Sequence, residues 1–379
     1  MNFELTDEQQ SIRAMVRDFS REVLLPTAAE LDEQNRFPTE HMPKLAELGL
    51  MGIAYPEQDG GVGADSIAEA IAVEEITYAC AATGSILTAH YLGIDGLFLA
   101  ADEEQRQKYL VPGCTGEKLF AFGLTEPNGG TDVGSMKTNA KLDGDEYVLN
   151  GTKHFITNGA EADILVVYAK TDTAAGTKGI SAFIVEKGTP GLTYGAGDDK
   201  MGIRGARTHE VIFENCRIPK ENRVGKEGEG FKIAMQVVDR GRIGIAAMAV
   251  GLSQAALDQA VSYAKERIAF NKPIAQYQGL QWMLAEMEAD VETARMYTYY
   301  AASLKDRKGY RISKEAAIAK LMASEASHRV VHKAVQIHGG FGYMKEYPVE
   351  RMYRDQRILE IFEGTSQVQK MVIAGHLLK

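Results

Sequence analysis

Glu146-Tyr-Val-Leu-Asn-Gly-Thr-Lys-His-Phe-Ile-Thr157 marks the point at which the chain changes its period. β-Branched and aromatic residues form two short runs on either side of Asn150-Gly151. Asn and Gly both tolerate positive φ, so this dipeptide between two such runs predicts a hairpin. Residues 163–168, 180–185 and 210–213 are further strand candidates, separated by Gly, Pro and Asp. Residues 121–225 therefore read as a small antiparallel β domain.

On the N-terminal side, residues 1–120 read as helices. Leu5, Ile12, Met15, Val16 and Phe19 recur at helical spacing, and Thr6 ahead of Asp7 and Glu8 supplies an N-cap. Pro26 and Pro38 punctuate the next stretch, and Gly60-Gly-Val-Gly63 reads as a loop. Residues 64–78 and 85–100 are helical again. On the C-terminal side, residues 226–379 hold an alanine-rich periodic segment over 230–270, then helical stretches over 277–306, 313–339 and 350–362, and one from 366 onward. Long helices with short links predict an antiparallel bundle. The expected fold is mainly α with a β insert: an α-helical domain over 1–120, a β domain over 121–225 and a helical bundle over 226–379.

The bulk numbers suit such a protein. With 379 residues, 45% hydrophobic and 25% charged, there is ample material for a large core. A net charge of −10 argues against nucleic-acid binding, which wants a basic stripe over the phosphates. Cys80, Cys114 and Cys216 are far apart and odd in number, so they read as thiols in a reducing cytosol. The N-terminus is acidic and amphipathic without a signal-peptide pattern, and no run reaches the roughly 20 apolar residues that span a bilayer. A cytoplasmic protein without membrane insertion is expected.

The common cofactor and nucleophile signatures fail. No complete GxGxxG follows a strand, and neither GxxxxGK[ST] nor GxSxG occurs. His328 and His332 are spaced i, i+4 but lack the Glu of HExxH, and read as a helix face rather than a metal site. A flavin held in some other way stays open.

Three blocks carry the chemistry. The first is Phe122-Gly-Leu-Thr-Glu-Pro-Asn-Gly-Gly-Thr-Asp132 with Lys153-His-Phe-Ile-Thr-Asn-Gly159. The second is Asp239-Arg-Gly-Arg242 with Arg267-Ile-Ala-Phe270. The third is Gln336-Ile-His-Gly-Gly-Phe-Gly342, Glu346-Tyr-Pro-Val-Glu-Arg351 and Ile361-Phe-Glu-Gly-Thr-Ser-Gln367. Their order and spacing resemble the acyl-CoA dehydrogenase family over essentially the whole chain, and residues 232–265 look most like its short-chain, butyryl-CoA branch. The resemblance implies a C-terminal four-helix bundle, FAD at the junction of β domain and bundle, and a homotetramer built as a dimer of dimers.

Glu363 is the expected base. Desaturating a thioester requires removal of a weakly acidic α-proton, and a carboxylate beside apolar Ile361 and Phe362 is desolvated, which raises its pKa toward the working pH. In the family, the Glu of this block takes the α-proton while flavin N5 takes the β-hydride, and its backbone N–H helps polarise the thioester carbonyl together with the flavin ribityl 2′-hydroxyl. Gly364 lets the backbone approach a ligand closely. Some relatives carry the base on a bundle helix instead; that position here is Gly241, which cannot abstract a proton.

Other roles follow from the same resemblance. Phe122, Leu124, Thr125, Gly130 and Thr131 match a flavin-contacting block, and Thr131 also touches the CoA arm. Phe155 and Thr157 match a second flavin block, with Phe155 standing where many relatives have Trp. Asp239 and Arg242 match contacts to the CoA portion of the substrate, against an alternative reading as a salt bridge on a helix. Arg267, Phe270, Gln278, Gln336, Gly339 and Gly340 match residues that reach the FAD of a neighbouring subunit, Arg267 suiting the pyrophosphate through its bidentate fork. Thr365 and Gln367 match further flavin contacts, and His338 receives no role. The function implied is oxidation of a short-chain acyl-CoA to the trans-2-enoyl-CoA, with electrons passed to an electron-transfer flavoprotein. The alternatives are an acyl-CoA oxidase or decarboxylating dehydrogenase on the same scaffold, or a non-catalytic flavin- or acyl-CoA-binding protein.

Overall fold

The computed structural model describes residues 4–308 and 312–379. Its organising element is a pair of strands apolar on both faces. β1 spans Phe120–Gly123, β2 Asn139–Asp143, β3 Glu146–Thr157, β4 Ile164–Lys170, β5 Ile180–Glu186, β6 Leu192–Tyr194, β7 Thr208–Pro219 and β8 Arg223–Val224. A continuous apolar run in a strand means cover on both sides, because successive side chains point to opposite faces. In β4, Ile164, Val166 and Tyr168 join the large core shared with the helices, while Leu165, Val167 and Ala169 join a smaller core within the β domain. In β5, Ile180, Ala182 and Ile184 face the helices, and Phe183 and Val185 face the other way. The sheet therefore forms one wall of the helical core.

The strand order is β6-β7-β3-β2-β4-β5-β8, with β1 pairing β4. Most pairs are antiparallel as expected, but β1 runs parallel to β4 and β2 meets β4 in parallel at Asn139–Lys170. The predicted hairpin at Asn150-Gly151 is not formed. Both residues lie inside the continuous strand β3, which pairs with β2 on one side and β7 on the other. The tight turn sits earlier, at Gly144-Asp145, where Asp143 pairs with Glu146. Asn150-Gly151 instead marks a register shift against β7. The Asn150 Oδ1 accepts the backbone N–H of Asn215 at 2.8 Å, and Asn215 has φ +51°. The local signal was for unusual backbone; pairing on both sides of β3 turned it into a bulge rather than a reversal.

Helices flank the sheet. α1 (Asp7–Phe19) opens with the expected Thr6 cap, completed as a capping box by Gln9. α2 (Ala28–Gln34) and α3 (His41–Glu47) lead to α4 (Ser66–Ala79) and α5 (Ala81–Ala100), which are almost wholly buried, their acidic residues Glu69, Glu74, Glu75 and Asp95 included. The C-terminal helices are α6 (Gly230–Glu266), α7 (Gln278–Lys308), α8 (Ser313–His338), α9 (Val349–Gln356) and α10 (Ser366–Leu377). The helix expected over 350–362 stops at Gln356 and continues as a 3₁₀ turn over Arg357–Glu360. α6 and α8 pack against each other, and both bury alanines, including Ala256, Ala260, Ala316 and Ala323. α5 packs against both β1 and α6, so it stands between sheet and bundle.

Candidate active site

Glu363 lies in the link between the 3₁₀ turn and α10. Its backbone is left-handed, with φ +49°, and Gly364 follows at φ +91°. A non-glycine residue held there stores strain of order 1–3 kcal/mol, a feature that clusters at functional sites. Two buried donors hold the link: Lys320 Nζ and Gln369 Nε2 each donate to the Gly364 carbonyl at 2.8 Å, and Gln369 Nε2 also reaches the Glu363 carbonyl at 3.3 Å. Thr365 caps α10 by accepting the Val368 N–H, so its hydroxyl fixes the start of that helix.

The Glu363 carboxyl points at α6. A Cβ added to Gly241 would lie 2.2 Å from its Oε2 and 2.6 Å from Leu92 of α5. Oε2 is buried and has no hydrogen-bond partner among the described residues. Burial pushes this carboxyl up to about 7; Lys320 and Arg242 oppose the rise, and Asp95 adds to it. The backbone N–H of Glu363 also donates to nothing among the described residues. A desolvated carboxylate and a free N–H on one residue are the parts that α-proton removal and carbonyl polarisation need.

Asp239 and Arg242 are brought together, one turn apart on α6, as a buried ion pair. Asp239 also accepts the Ser313 hydroxyl. The salt bridge on a helix is thus present, and Arg242 additionally faces Glu363 electrostatically. Behind Gly241, Arg240 pairs with Asp95 at 2.7 Å and with Glu69, and the Tyr55 hydroxyl donates to Asp95 at 2.7 Å. Arg240 thus ties this turn of α6 to α4 and α5, and the Ser313–Asp239 bond ties it to α8.

The two candidate flavin blocks meet each other. The His154 N–H donates to the Thr125 carbonyl at 2.9 Å. Lys153, fully buried, reaches the Leu124 carbonyl at 3.2 Å and Glu126 Oε1 at 2.9 Å. Glu126 in turn accepts the N–H groups of Lys137 and Thr138, which closes the loop carrying Gly130 and Thr131. Phe155 sits in a second register shift of β3 at φ +57°, and this bulge turns its ring outward to 62% exposure. Phe122, Thr125 and Thr157 are half-buried, Leu124 is buried, and Gly130 and Thr131 are exposed. An exposed aromatic ring beside a glycine-bearing loop, together with the unpartnered Oε2 over Gly241, fits a planar cofactor and a thioester; FAD is consistent with this donor set.

A third group lies on the surface. Arg267 stands over the Phe341 ring at 5.3 Å, and Phe270 is 90% exposed. Gln278, Gln336, Gly339 and Gly340 are exposed as well. His338 is buried and stacks on Tyr263 with 4.3 Å between centroids, so it holds the end of α8 against α6. No hydrogen bond or ion pair joins this group to Glu363 among the described residues.

Sequence reasoning missed Lys320 and the Lys153–Glu126 pair. Lys320 was detectable as a lone cation on the apolar stripe of Ala316, Ala319 and Ala323. The pair had no signal, because its partners are 27 residues apart on a loop and a strand.

The chain belongs to the acyl-CoA dehydrogenase family. Models of that family's N-terminal, middle and C-terminal domains match residues 6–117, 121–216 and 228–378. Within it, the chain is 50% identical to the short-chain specific acyl-CoA dehydrogenase of Clostridium acetobutylicum over 100% of both chains. It is 45% identical to the solved butyryl-CoA dehydrogenase of Megasphaera elsdenii, covering 100% of each chain with a TM-score of 0.98. A chain solved in work on the electron transferring flavoprotein of Acidaminococcus fermentans and flavin-based electron bifurcation is 47% identical, again over 100% of each chain with a TM-score of 0.98. Among the described residues, no helix is long and apolar enough to cross a membrane.

Proposed function

We propose that this protein oxidises short-chain, butyryl-CoA-like thioesters to trans-2-enoyl-CoA, with FAD as cofactor and Glu363 as the base. The observation that carries the reading is the buried, unpartnered Oε2 of Glu363, whose carboxyl is raised to about 7 and is faced by a glycine of α6. The ionised carboxylate takes the α-proton, and the Glu363 N–H donates to the thioester carbonyl oxygen as charge develops there. FAD, when bound, supplies the hydride acceptor. Phe122, Leu124, Thr125, Gly130, Thr131, Phe155, Thr157, Thr365 and Gln367 would hold it within the chain. Asp239 and Arg242 orient the CoA arm, with Thr131 and Gly364 beside it.

Arg267, Phe270, Gln278, Gln336, Gly339 and Gly340 would complete the FAD site of a second copy in a homotetramer. Their exposure in the single chain supports this. The acceptor is an electron-transfer flavoprotein, a reading supported by likeness to the Acidaminococcus chain. The domains divide near residues 120 and 226, and the protein works in the cytoplasm.

Anaerobic titration of the flavin-loaded protein with acyl-CoAs of graded length tests the proposal. Butyryl-CoA should bleach the flavin in the wild type. Glu363→Gln should keep its flavin and bind the thioester, yet reduce the flavin at least about a thousandfold more slowly. Near-normal reduction in that variant removes Glu363 from the mechanism.

A further inference from the structure

Lys320 is an unusual residue for the centre of a helix bundle. It is fully buried on α8, and no carboxylate lies within ion-pair distance of it among the described residues. Burying an ammonium costs several kcal/mol, and one neutral hydrogen bond returns only part of that. A lysine whose only task was to fill space would be replaced at little loss by methionine or leucine. Its ammonium instead ends on one atom, the carbonyl oxygen of Gly364, immediately after the base.

That carbonyl belongs to the most strained part of the site. Glu363 and Gly364 are consecutive left-handed residues, and the link they form has no helix or strand ladder to hold it. Gln369 shares the same carbonyl but comes from α10, the element the link leads into. Lys320 is the donor that ties the link to α8, a helix packed against α6, the helix that carries Gly241. The charges also correspond. The charged groups facing Glu363 are Lys320 of α8, Arg242 of α6 and Asp95 of α5. Those facing Lys320 are Glu363, Arg242 and Glu360.

We infer that Lys320 is a positioning residue for the base: its ammonium pins the Gly364 carbonyl, holds Glu363 in its left-handed conformation against α6, and counterbalances the carboxylate without donating a hydrogen bond to it. The inference rests on the reading of Glu363 as the base. A cation that touched the carboxylate directly would lower its basicity by a full ion pair. One held on the neighbouring carbonyl leaves both carboxylate oxygens free for the substrate proton while limiting the rise that burial imposes. Burial brings Lys320 itself down to about 8, so near neutral pH it carries its charge while Glu363 titrates.

The test uses flavin-loaded Lys320→Met and Lys320→Gln. Glu363 titration is first followed without substrate, from the carboxyl infrared difference between each protein and its Glu363→Gln counterpart. The wild-type midpoint near 7 should rise by about one unit in both neutral variants, because a facing cation has gone. Flavin reduction by butyryl-CoA at pH 7 should then fall about a hundredfold in Lys320→Met, in the rate constant rather than in thioester affinity, as expected for a misplaced reacting group. The rising limb of its pH profile should move upward with the infrared midpoint. An unmoved midpoint in either variant, or a wild-type rate and profile in Lys320→Met, overturns the inference. Should Lys320→Met fail to fold, the midpoint in Lys320→Gln decides. A wild-type protein that does not bleach at all sinks the functional reading separately, since the infrared titration needs no turnover.

Discussion

A Cβ on Gly241 would stand 2.2 Å from the Oε2 of Glu363, so the absence of a side chain on α6 is what gives the carboxylate its place. Carbon and oxygen cannot approach so closely, and one of the two must move. α6 is tied at this turn to α5 by the buried Arg240–Asp95 pair and to α8 by the Ser313–Asp239 hydrogen bond, whereas Glu363 sits in a link. Gly241→Ala should therefore displace the carboxylate. Flavin reduction by butyryl-CoA is expected to slow about a hundredfold, the loss typical of a shift of about 1 Å at a reacting group. Circular dichroism and flavin content should stay near wild type. An undiminished stopped-flow rate would show that the carboxylate is not confined against α6.

The raised carboxyl of Glu363 makes the rate pH-dependent in a definite sense. As the proposed base, Glu363 would work only when ionised, and burial moves its midpoint up to about 7. The rate of the free enzyme should climb about tenfold per unit below pH 7 and level off above it. The limb should vanish with the activity in Glu363→Gln.

Stability runs the opposite way. The folded state favours the protonated carboxyl more than the unfolded chain does, so the native state binds the extra proton between the ordinary carboxylate range and about 7. Stability then falls as pH rises through that window and stays lower above it. Glu363→Gln removes this burden and should melt a few degrees above wild type at pH 8. The gap should close toward pH 4.5. A variant melting below wild type at pH 8 would contradict a desolvated native carboxylate.

The Lys153–Glu126 pair should be the keystone of the loop over 124–138. Both side chains are essentially unexposed, and Glu126 also holds the N–H groups of Lys137 and Thr138. Lys153→Met leaves a buried carboxylate without its cation, expected to cost about 3–5 kcal/mol in chemical denaturation. Lys153→Met with Glu126→Leu should recover part of that stability, since no lone charge remains. It should not recover flavin affinity, because the loop N–H groups lose their acceptor. Full recovery of both would make the pair dispensable for the loop.

Most of the architecture was legible because it follows from periodicity. The Thr6 cap, the helices expected over 64–78 and 85–100 and the strand candidate over 163–168 are each readable from local sequence, and α1, α4, α5 and β4 form there. Asn150-Gly151 was misread because a dipeptide reports that the backbone is unusual, not whether neighbouring strands will keep it in a ladder. Glu363 was singled out as the candidate base through its block, but its confinement was not foreseen. That depends on Gly241, 122 positions away, and on Lys320, whose reach to Gly364 exists only once α8 and the link are packed. Distances of this kind are tertiary facts, and composition around either residue carries no trace of them.

Arg267 and Phe270 separate assembly from folding. Phe270 is 90% exposed, and Arg267 contacts only the Phe341 ring among ring contacts of the described residues, so neither supports the core of its own chain. If they complete the flavin site of a second copy, Arg267→Ala and Phe270→Ala should leave helix content and the core intact while weakening flavin retention. Binding only to the assembled state couples cofactor and oligomer by mass action, so the loss should grow on dilution and shrink with excess FAD. Analytical ultracentrifugation at several concentrations, recorded at the flavin wavelength, measures both at once. The flavin should leave with the assembly in the variants and stay with it in the wild type. Variants that keep wild-type flavin content at every dilution would confine the cofactor site to a single chain and leave this exposed surface without its proposed role.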